Sequence, residues 1–230
     1  MNRRLVLFDI DGTLITDGGA ARQAFGESLR AIYGYDQDLA RYDFSGRTDP
    51  QIVFMVLRDA GYDDAAIEAG LTRFWDSYLG GVAKNVQTPG RVRALAGIER
   101  IVATLAEMPE VTLALLTGNI EPGARLKLAG PELNRYFPFG AFGSDHRDRE
   151  KLPPIAVERA SKVDGYRFEG SNVVIIGDSI YDVRCGAPYD ATTIAVASGK
   201  TSADTLRAEN PTHFFPSAED HDALLAAILG

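Results

Sequence analysis

Three short apolar runs constrain this chain more than anything else in it: residues 5–8 (LVLF), 111–116 (VTLALL) and 173–176 (VVII). None shows the polar alternation of a half-solvated strand, so each reads as a strand buried on both faces. Shorter runs at 139–142 (FGAF), 192–197 (TTIAVA) and 213–215 (HFF) extend the set. Helical stripes lie between them. Ile98, Ile101, Val102 and Leu105 fall on one face of 97–108, and Leu224, Leu225 and Ile228 on one face of 219–229. Residues 153–163 open with the prolines favoured in a first helical turn. Strand alternating with helix predicts an α/β fold built on a doubly wound parallel sheet.

One connection breaks that rhythm. About a hundred residues separate Gly12 from Val111, where a parallel crossover needs little more than one helix. Residues 20–33 align Phe25, Leu29 and Ile32. Thr48 is placed as an N-cap before Asp49 and Pro50, with Gly61 as the stop. Residues 63–79 carry Ile67, Leu71, Phe74, Trp75 and Tyr78 at three- and four-residue steps, a stripe that suits helix-on-helix packing. The expected organisation is therefore a core of residues 1–15 and 94–230 interrupted by an α-helical domain over 16–93.

Composition excludes several classes of function. A net charge of −8 argues against nucleic acid or anionic lipid as the main partner. The single Cys185 allows no internal disulfide and suits a reducing compartment. Met1 to Arg4 followed by four apolar residues is too short for a secretory signal, and no segment reaches transmembrane length. A cytoplasmic protein without a membrane partner is expected, its oligomeric state left open.

The residues just beyond each strand carry the chemistry. Asp9 and Asp11 come after the first strand. Thr117, Gly118 and Asn119 come after the second, and Asp178, Ser179 and Asp182 after the third. In a doubly wound sheet, ligands sit beyond the carboxyl ends of the strands near the switch in strand order. Carboxylates gathered there repel unless a proton or cation lies between them. Hard oxygen ligands in small number suit Mg2+, which keeps several waters and joins substrate phosphate. Taken singly, these residues have plainer readings: Asp11-Gly12 as a turn, Thr117 or Asn119 as a helix cap, Asp182 as a solvent-facing first-turn residue.

Taken together they resemble the haloacid dehalogenase superfamily in its phosphatase branch. FDIDGT is similar to that family's first motif, LLTGN to its second and VVIIGDSIYD to its fourth. The third motif, a lysine followed by prolines before a helix, is matched by Lys151 in KLPPIAVERA, with Arg149 as the alternative register. SGRTDPQI in the helical insertion resembles the substrate-facing loop of phosphoglycolate phosphatase-like members. The insertion sits where the family carries its cap. The resemblance implies a Rossmann-like core and a Mg2+-dependent phosphatase acting on a small phosphorylated metabolite. It implies Asp9 as nucleophile and Asp11 as general acid and base. Asp9, Asp11, Asp178 and Asp182 would form the metal site. Thr117, Gly118, Asn119 and Lys151 would hold the phosphoryl group, and Arg47 would contact substrate or else pair with Asp43 or Asp49. A β-phosphoglucomutase-like phosphomutase would share these core residues. A receiver-type phospho-aspartate domain would share the aspartates but not the long insertion. His146, His213, His221 and Cys185 show no ligand spacing and read as structural.

Overall fold

The structure, a computed structural model, describes residues 3–230; Met1 and Asn2, part of the N-terminal reading, lie outside the described residues. In chain order the elements begin with β1 (Arg4–Phe8), β2 (Ile15–Thr16), α1 (Ala20–Tyr33), α2 (Asp49–Asp59), α3 (Asp64–Val86) and β3 (Arg93–Ala94). They continue with α4 (Ile98–Ala106), β4 (Val111–Leu116), α5 (Glu121–Ala129), β5 (Gly140–Ala141), α6 (Leu152–Asp164) and β6 (Val173–Gly177). The chain ends with α7 (Ile180–Gly186), β7 (Thr192–Val196), α8 (Ala203–Ala208), β8 (His213–Phe215) and α9 (His221–Leu229).

Six strands form one parallel sheet in the order β5-β4-β1-β6-β7-β8. The expected α/β doubly wound fold is what forms. Because strand side chains alternate faces, β1 splits cleanly. Val6 and Phe8 join Ile101, Val102, Leu105, Leu128, Leu224 and Ile228 on one side. Leu5 and Leu7 join Leu152, Ala156 and Ala160 of α6 on the other. All four residues are fully buried, which explains why the run lacks alternation. β1 lies between β4 and β6, so strand order reverses there and the ends of these three strands open into one crevice.

The insertion has its own apolar cluster, in which Phe25, Leu29, Phe54, Leu57, Ile67, Phe74 and Tyr78 pack together. Phe25 and Phe74 meet edge to face with centroids 5.1 Å apart, so the aromatic stripe is helix packing. α3 runs through Val86, past the Leu79 expected from periodicity, because Val82 and Asn85 remain on its buried face. Asn85 donates to the carbonyl of Ala20 at 3.1 Å and ties the far end of α3 to the start of α1. The two chain crossings between insertion and sheet pair with each other. β2 and β3 are antiparallel, with Ile15 opposite Ala94 and Thr16 opposite Arg93.

Candidate active site

The first strand ends in a tight turn that places two carboxylates. Leu14 N–H donates to Ile10 O at 2.9 Å and Gly12 N–H to Ile15 O at 2.8 Å. Gly12 has φ 89°, in the left-handed region. A Cβ there would also collide with the Asp178 carboxylate. Glycine is thus required twice over. Gly118, after β4, is required by close approach, since a Cβ would run into the carbonyl of Arg47 from the insertion. That approach is a built contact: Asp49 N–H donates to Gly118 O at 2.7 Å, and Ile120 N–H donates to Asp49 Oδ2 at 2.9 Å. Thr48 caps α2 as the sequence suggests, accepting from Gln51 N–H at 3.1 Å.

The structure brings Asp9, Asp178 and Asp182 together, with one oxygen from each within 4.8 Å of the others. All three are buried. The cation among them is Arg149, whose side chain is only 4% exposed. Its Nη2 lies 3.0 Å from Asp9 Oδ1, also donates to Asp182 Oδ1, and reaches Leu116 O at 3.3 Å.

Lys151 is not in this site. It is exposed, whereas Arg149 opens the 3-10 turn Arg149–Lys151 and points inward. With three residues per 3-10 turn, a residue two places on faces away. The Lys-x-x-Pro spacing thus selected the wrong register, and the alternative register supplies the guanidinium. Asn119 is likewise no helix cap. Ile120 takes the N-cap position of α5 without a side-chain bond. The Asn119 amide instead donates to Asp11 Oδ2 at 2.7 Å and to Thr117 Oγ1 at 2.9 Å.

Asp182 differs in detail from expectation. Its Oδ2 accepts from Ser179 N–H at 3.0 Å and Ser179 Oγ at 2.6 Å, a capping box at the start of α7. Its Oδ1 accepts from Arg149. Both oxygens are therefore engaged, which suits an orienting carboxylate better than a free ligand.

Charge balance tells what the site wants. Burial, with Asp182 and Asp11 nearby, pushes the Asp9 carboxyl up to about 7 in spite of Arg149. Burial and the neighbouring Asp9 and Asp182 raise Asp178 well above the ordinary carboxylate range. Burial alone would lower the Arg149 pKa, but Asp182 and Asp9 outweigh it and keep the guanidinium charged. Three carboxylates share one guanidinium, a deficit that a divalent cation would correct. Arg149 Nε is buried with no partner. Asp9 and Asp178, with Asp182 beside them, can hold a metal ion.

Sequence reasoning missed Lys127. It is buried on α5, and its Nζ lies 2.6 Å from both Asp11 Oδ2 and Asn119 Oδ1. The readable signal was its phase: Gly123, Ala124, Lys127 and Leu128 form the buried face of α5, where a lysine needs a partner.

A cavity of about 390 Å³ lies over Asp9, Asp11, Thr117, Gly118, Asn119 and Asp178. Its far wall, from the insertion, includes Phe25, Phe44, Ile52, Tyr78 and Arg47. Arg47 is held rather than loose. Its Nε donates to Asp43 O at 3.2 Å and its guanidinium lies 5.2 Å from the Tyr181 ring centroid. It pairs with neither the Asp43 nor the Asp49 carboxylate.

This arrangement on this fold belongs to one class. Residues 3–188 match the family model described as haloacid dehalogenase-like hydrolase, and the chain belongs to that family. It is 26% identical over 216 residues to the phosphoglycolate phosphatase of Pseudomonas savastanoi pv. phaseolicola, covering 90% of this chain and 74% of that one. It is also 26% identical over 224 residues to phosphoglycolate phosphatase 1 of Pseudomonas aeruginosa, covering 94% and 78%. Among solved structures, a hydrolase from Pseudomonas syringae superposes with TM-score 0.74 at 19% identity, covering 97% of this chain and 98% of that one. The expectation of a phosphatase-type enzyme of this superfamily is borne out by the family match and these relatives, and the receiver-type alternative is set aside. Among the described residues, no helix is long and apolar enough to cross a membrane.

Proposed function

We propose that this protein is a Mg2+-dependent phosphatase that hydrolyses a small phosphomonoester of phosphoglycolate type through an aspartyl-phosphate on Asp9. The observation that carries the reading is the Asp9–Arg149–Asp182 constellation with Asp178 beside it, at the switch point of the sheet. Asp9, Asp178 and the backbone carbonyl of Asp11 would hold the metal, with Asp182 fixing Arg149. Bound there, the metal supplies charge neutralisation for the phosphoryl oxygens and for Asp9.

The chain's own groups do the rest. Asp9 attacks phosphorus as the ester P–O bond breaks. Asp11 gives its proton to the departing alkoxide, then takes one from the water that hydrolyses the intermediate. Thr117, Gly118 and Arg149 offer donors to the phosphoryl oxygens, with Asn119 holding Asp11 and Thr117 in place, and loose phosphoryl transfer needs mainly such positioning and neutralisation. Residues 16–93 form the cap, and its aromatic wall shields the reacting phosphoryl group from bulk water while Asp11 admits the one water that hydrolysis needs. Arg47 would meet the substrate's carboxylate end. The cytoplasm supplies such metabolites.

The test is phosphate release from a panel of phosphorylated metabolites in H₂¹⁸O, with and without chelator. Hydrolysis places solvent oxygen in the released phosphate. Efficient conversion of β-glucose 1-phosphate to the 6-phosphate, with little free phosphate and no label in it, would replace this reading with a phosphomutase.

A further inference from the structure

Lys127 does something that neither the strand-end motifs nor the metal site accounts for. A lysine almost never lies fully buried without a partner, and this one is 3% exposed in the floor between sheet and insertion. Its Nζ donates to Asp11 Oδ2 and to Asn119 Oδ1, each at 2.6 Å. Asn119 Nδ2 in turn donates to the same Asp11 Oδ2 at 2.7 Å. Three side chains thus close a ring with Lys127 as its only charge donor. The other oxygen, Asp11 Oδ1, is buried and has no hydrogen-bond partner.

The orientation of Asp11 therefore hangs on two bonds, both to one oxygen, and both depend on Lys127. One is direct. The other runs through an amide that Lys127 holds in place and whose flip would present oxygen to oxygen. The two donors on Oδ2 leave the carboxyl group one orientation, with part of it still facing the cavity.

We infer that Lys127 is a positioning residue for proton transfer to the leaving group: with Asn119 it clamps Asp11 Oδ2 and so fixes the carboxyl group that exchanges the proton. In the step concerned, the Asp9–phosphorus bond forms, the ester P–O bond breaks, and the proton passes from Asp11 to the alkoxide oxygen. The inference rests on the phosphatase reading above.

A misplaced acid harms only those esters whose leaving group needs a proton. Lys127→Met, which keeps length and loses the donors, is compared with wild type on 2-phosphoglycolate and on p-nitrophenyl phosphate, whose phenolate leaves without help. kcat/KM reports steps up to formation of the aspartyl-phosphate, so the later hydrolysis does not enter. It should fall about 100-fold on the alkyl ester, the lower range for a positioned acid, and less than about 5-fold on the aryl ester. Lys127→Gln, a shorter neutral donor, takes the place of Lys127→Met if the latter does not fold. An equal loss on both esters, or none on either, overturns the assignment. Crystal structures of the variants give a reading independent of turnover: Asp11 should leave Asn119, and an unmoved carboxylate overturns it too. If wild type hydrolyses neither ester, the phosphatase reading falls, and the crystal structures still decide what positions Asp11.

Discussion

Arg149→Met is the substitution that tests the charge balance most directly. It removes the guanidinium that donates to Asp9 and Asp182 and leaves three buried carboxylates facing one another. Breaking a buried ion pair from one side costs about 3–5 kcal/mol, because the orphaned charge stays in the interior. For a chain of this length each 1 kcal/mol moves Tm by about 2–4 °C, so the drop at pH 7.5 in chelator should be roughly 6–20 °C. Two conditions should shrink it. At pH 5.5 the Asp9 carboxyl, already raised to about 7 with Arg149 present, is protonated and no longer asks for a partner. At pH 7.5, millimolar Mg2+ should replace part of the lost positive charge. Lys151→Ala, at an exposed position, should change stability by less than about 0.5 kcal/mol. Turnover should fall by about 100-fold or more for Arg149→Met, the scale for losing one group that stabilises transition-state charge. Thermal unfolding of both variants at the two pH values, with and without Mg2+, decides the matter. Equal Tm values for Arg149→Met and Lys151→Ala at pH 7.5 in chelator would refute the argument, as would a deficit that grows at pH 5.5.

Asp9→Asn should abolish phosphate release, since an amide cannot be the nucleophile. Its Tm at pH 7.5 in chelator should be no lower than that of wild type, since the neutral amide escapes the burial penalty that raises the Asp9 carboxyl to about 7, and wild-type turnover from a folded, undeamidated sample would sink the assignment. Chelator should remove activity and Mg2+ restore it, while Ca2+, with its looser and larger oxygen shell, should inhibit; full activity in chelator would contradict the metal site. The apo protein should lose stability as pH rises from about 4 to about 7. Asp9 holds its proton in the folded state up to about 7 but near 3.8 when unfolded, so the folded form binds more protons across that window. Mg2+ should accordingly raise Tm more at pH 7.5 than at pH 5.5, and an equal rise at both would rule out competition between proton and metal.

Some of these residues were legible in the sequence and others were not, and the difference lies in what positions them. Asp9, Thr117 and Asp178 are each the first residue beyond a strand whose two-sided burial is written in its apolar run. Parallel pairing then fixes their relative height: Phe8 lies opposite both Leu115 and Ile176. Sequence position becomes spatial position with no further information. The aromatic stripe of α3 was legible for a similar reason, since period 3.6 survives any packing partner.

Arg149 and Lys127 depend on phase rather than on ends. In a 3-10 turn, a shift of two residues turns a side chain about a third of a turn away from its first direction, and DHRDREK offers Arg or Lys at three places in seven. What selects Arg149 is the start of the turn, set by Asp148, whose carboxylate accepts from Glu150 N–H at 3.0 Å. That local Asx-type bond fits several registers equally well on paper. Lys127 was harder still, because its partners Asp11 and Asn119 lie on two strand ends, while Asp17 and Asp49 come from the insertion. Their charges outweigh burial and hold the ammonium charged. A buried lysine is intelligible only after those carboxylates have been brought around it, which only the packing of α2 and the β2 crossing against the sheet accomplishes. The same packing makes Asp49 an informative residue to perturb. Burial raises its carboxyl to about 6 although Lys127 opposes the rise, and its backbone N–H and Oδ2 together join α2 to the loop after β4. Asp49→Asn keeps the backbone bond and an acceptor oxygen for Ile120 while removing the charge. Because the latch is kept and only the charge is lost, this variant should fold normally if hydrogen bonding rather than charge holds α2 to the β4 loop. Lys127 would then be shared by one carboxylate fewer, and activity on alkyl esters should change by less than about 10-fold. Asp49→Ala breaks the side-chain half of the latch and should cost about 1–3 kcal/mol for the buried Ile120 N–H it strands. Equal stability losses from the two variants would show that the charge, not the hydrogen bond, holds α2 to the β4 loop.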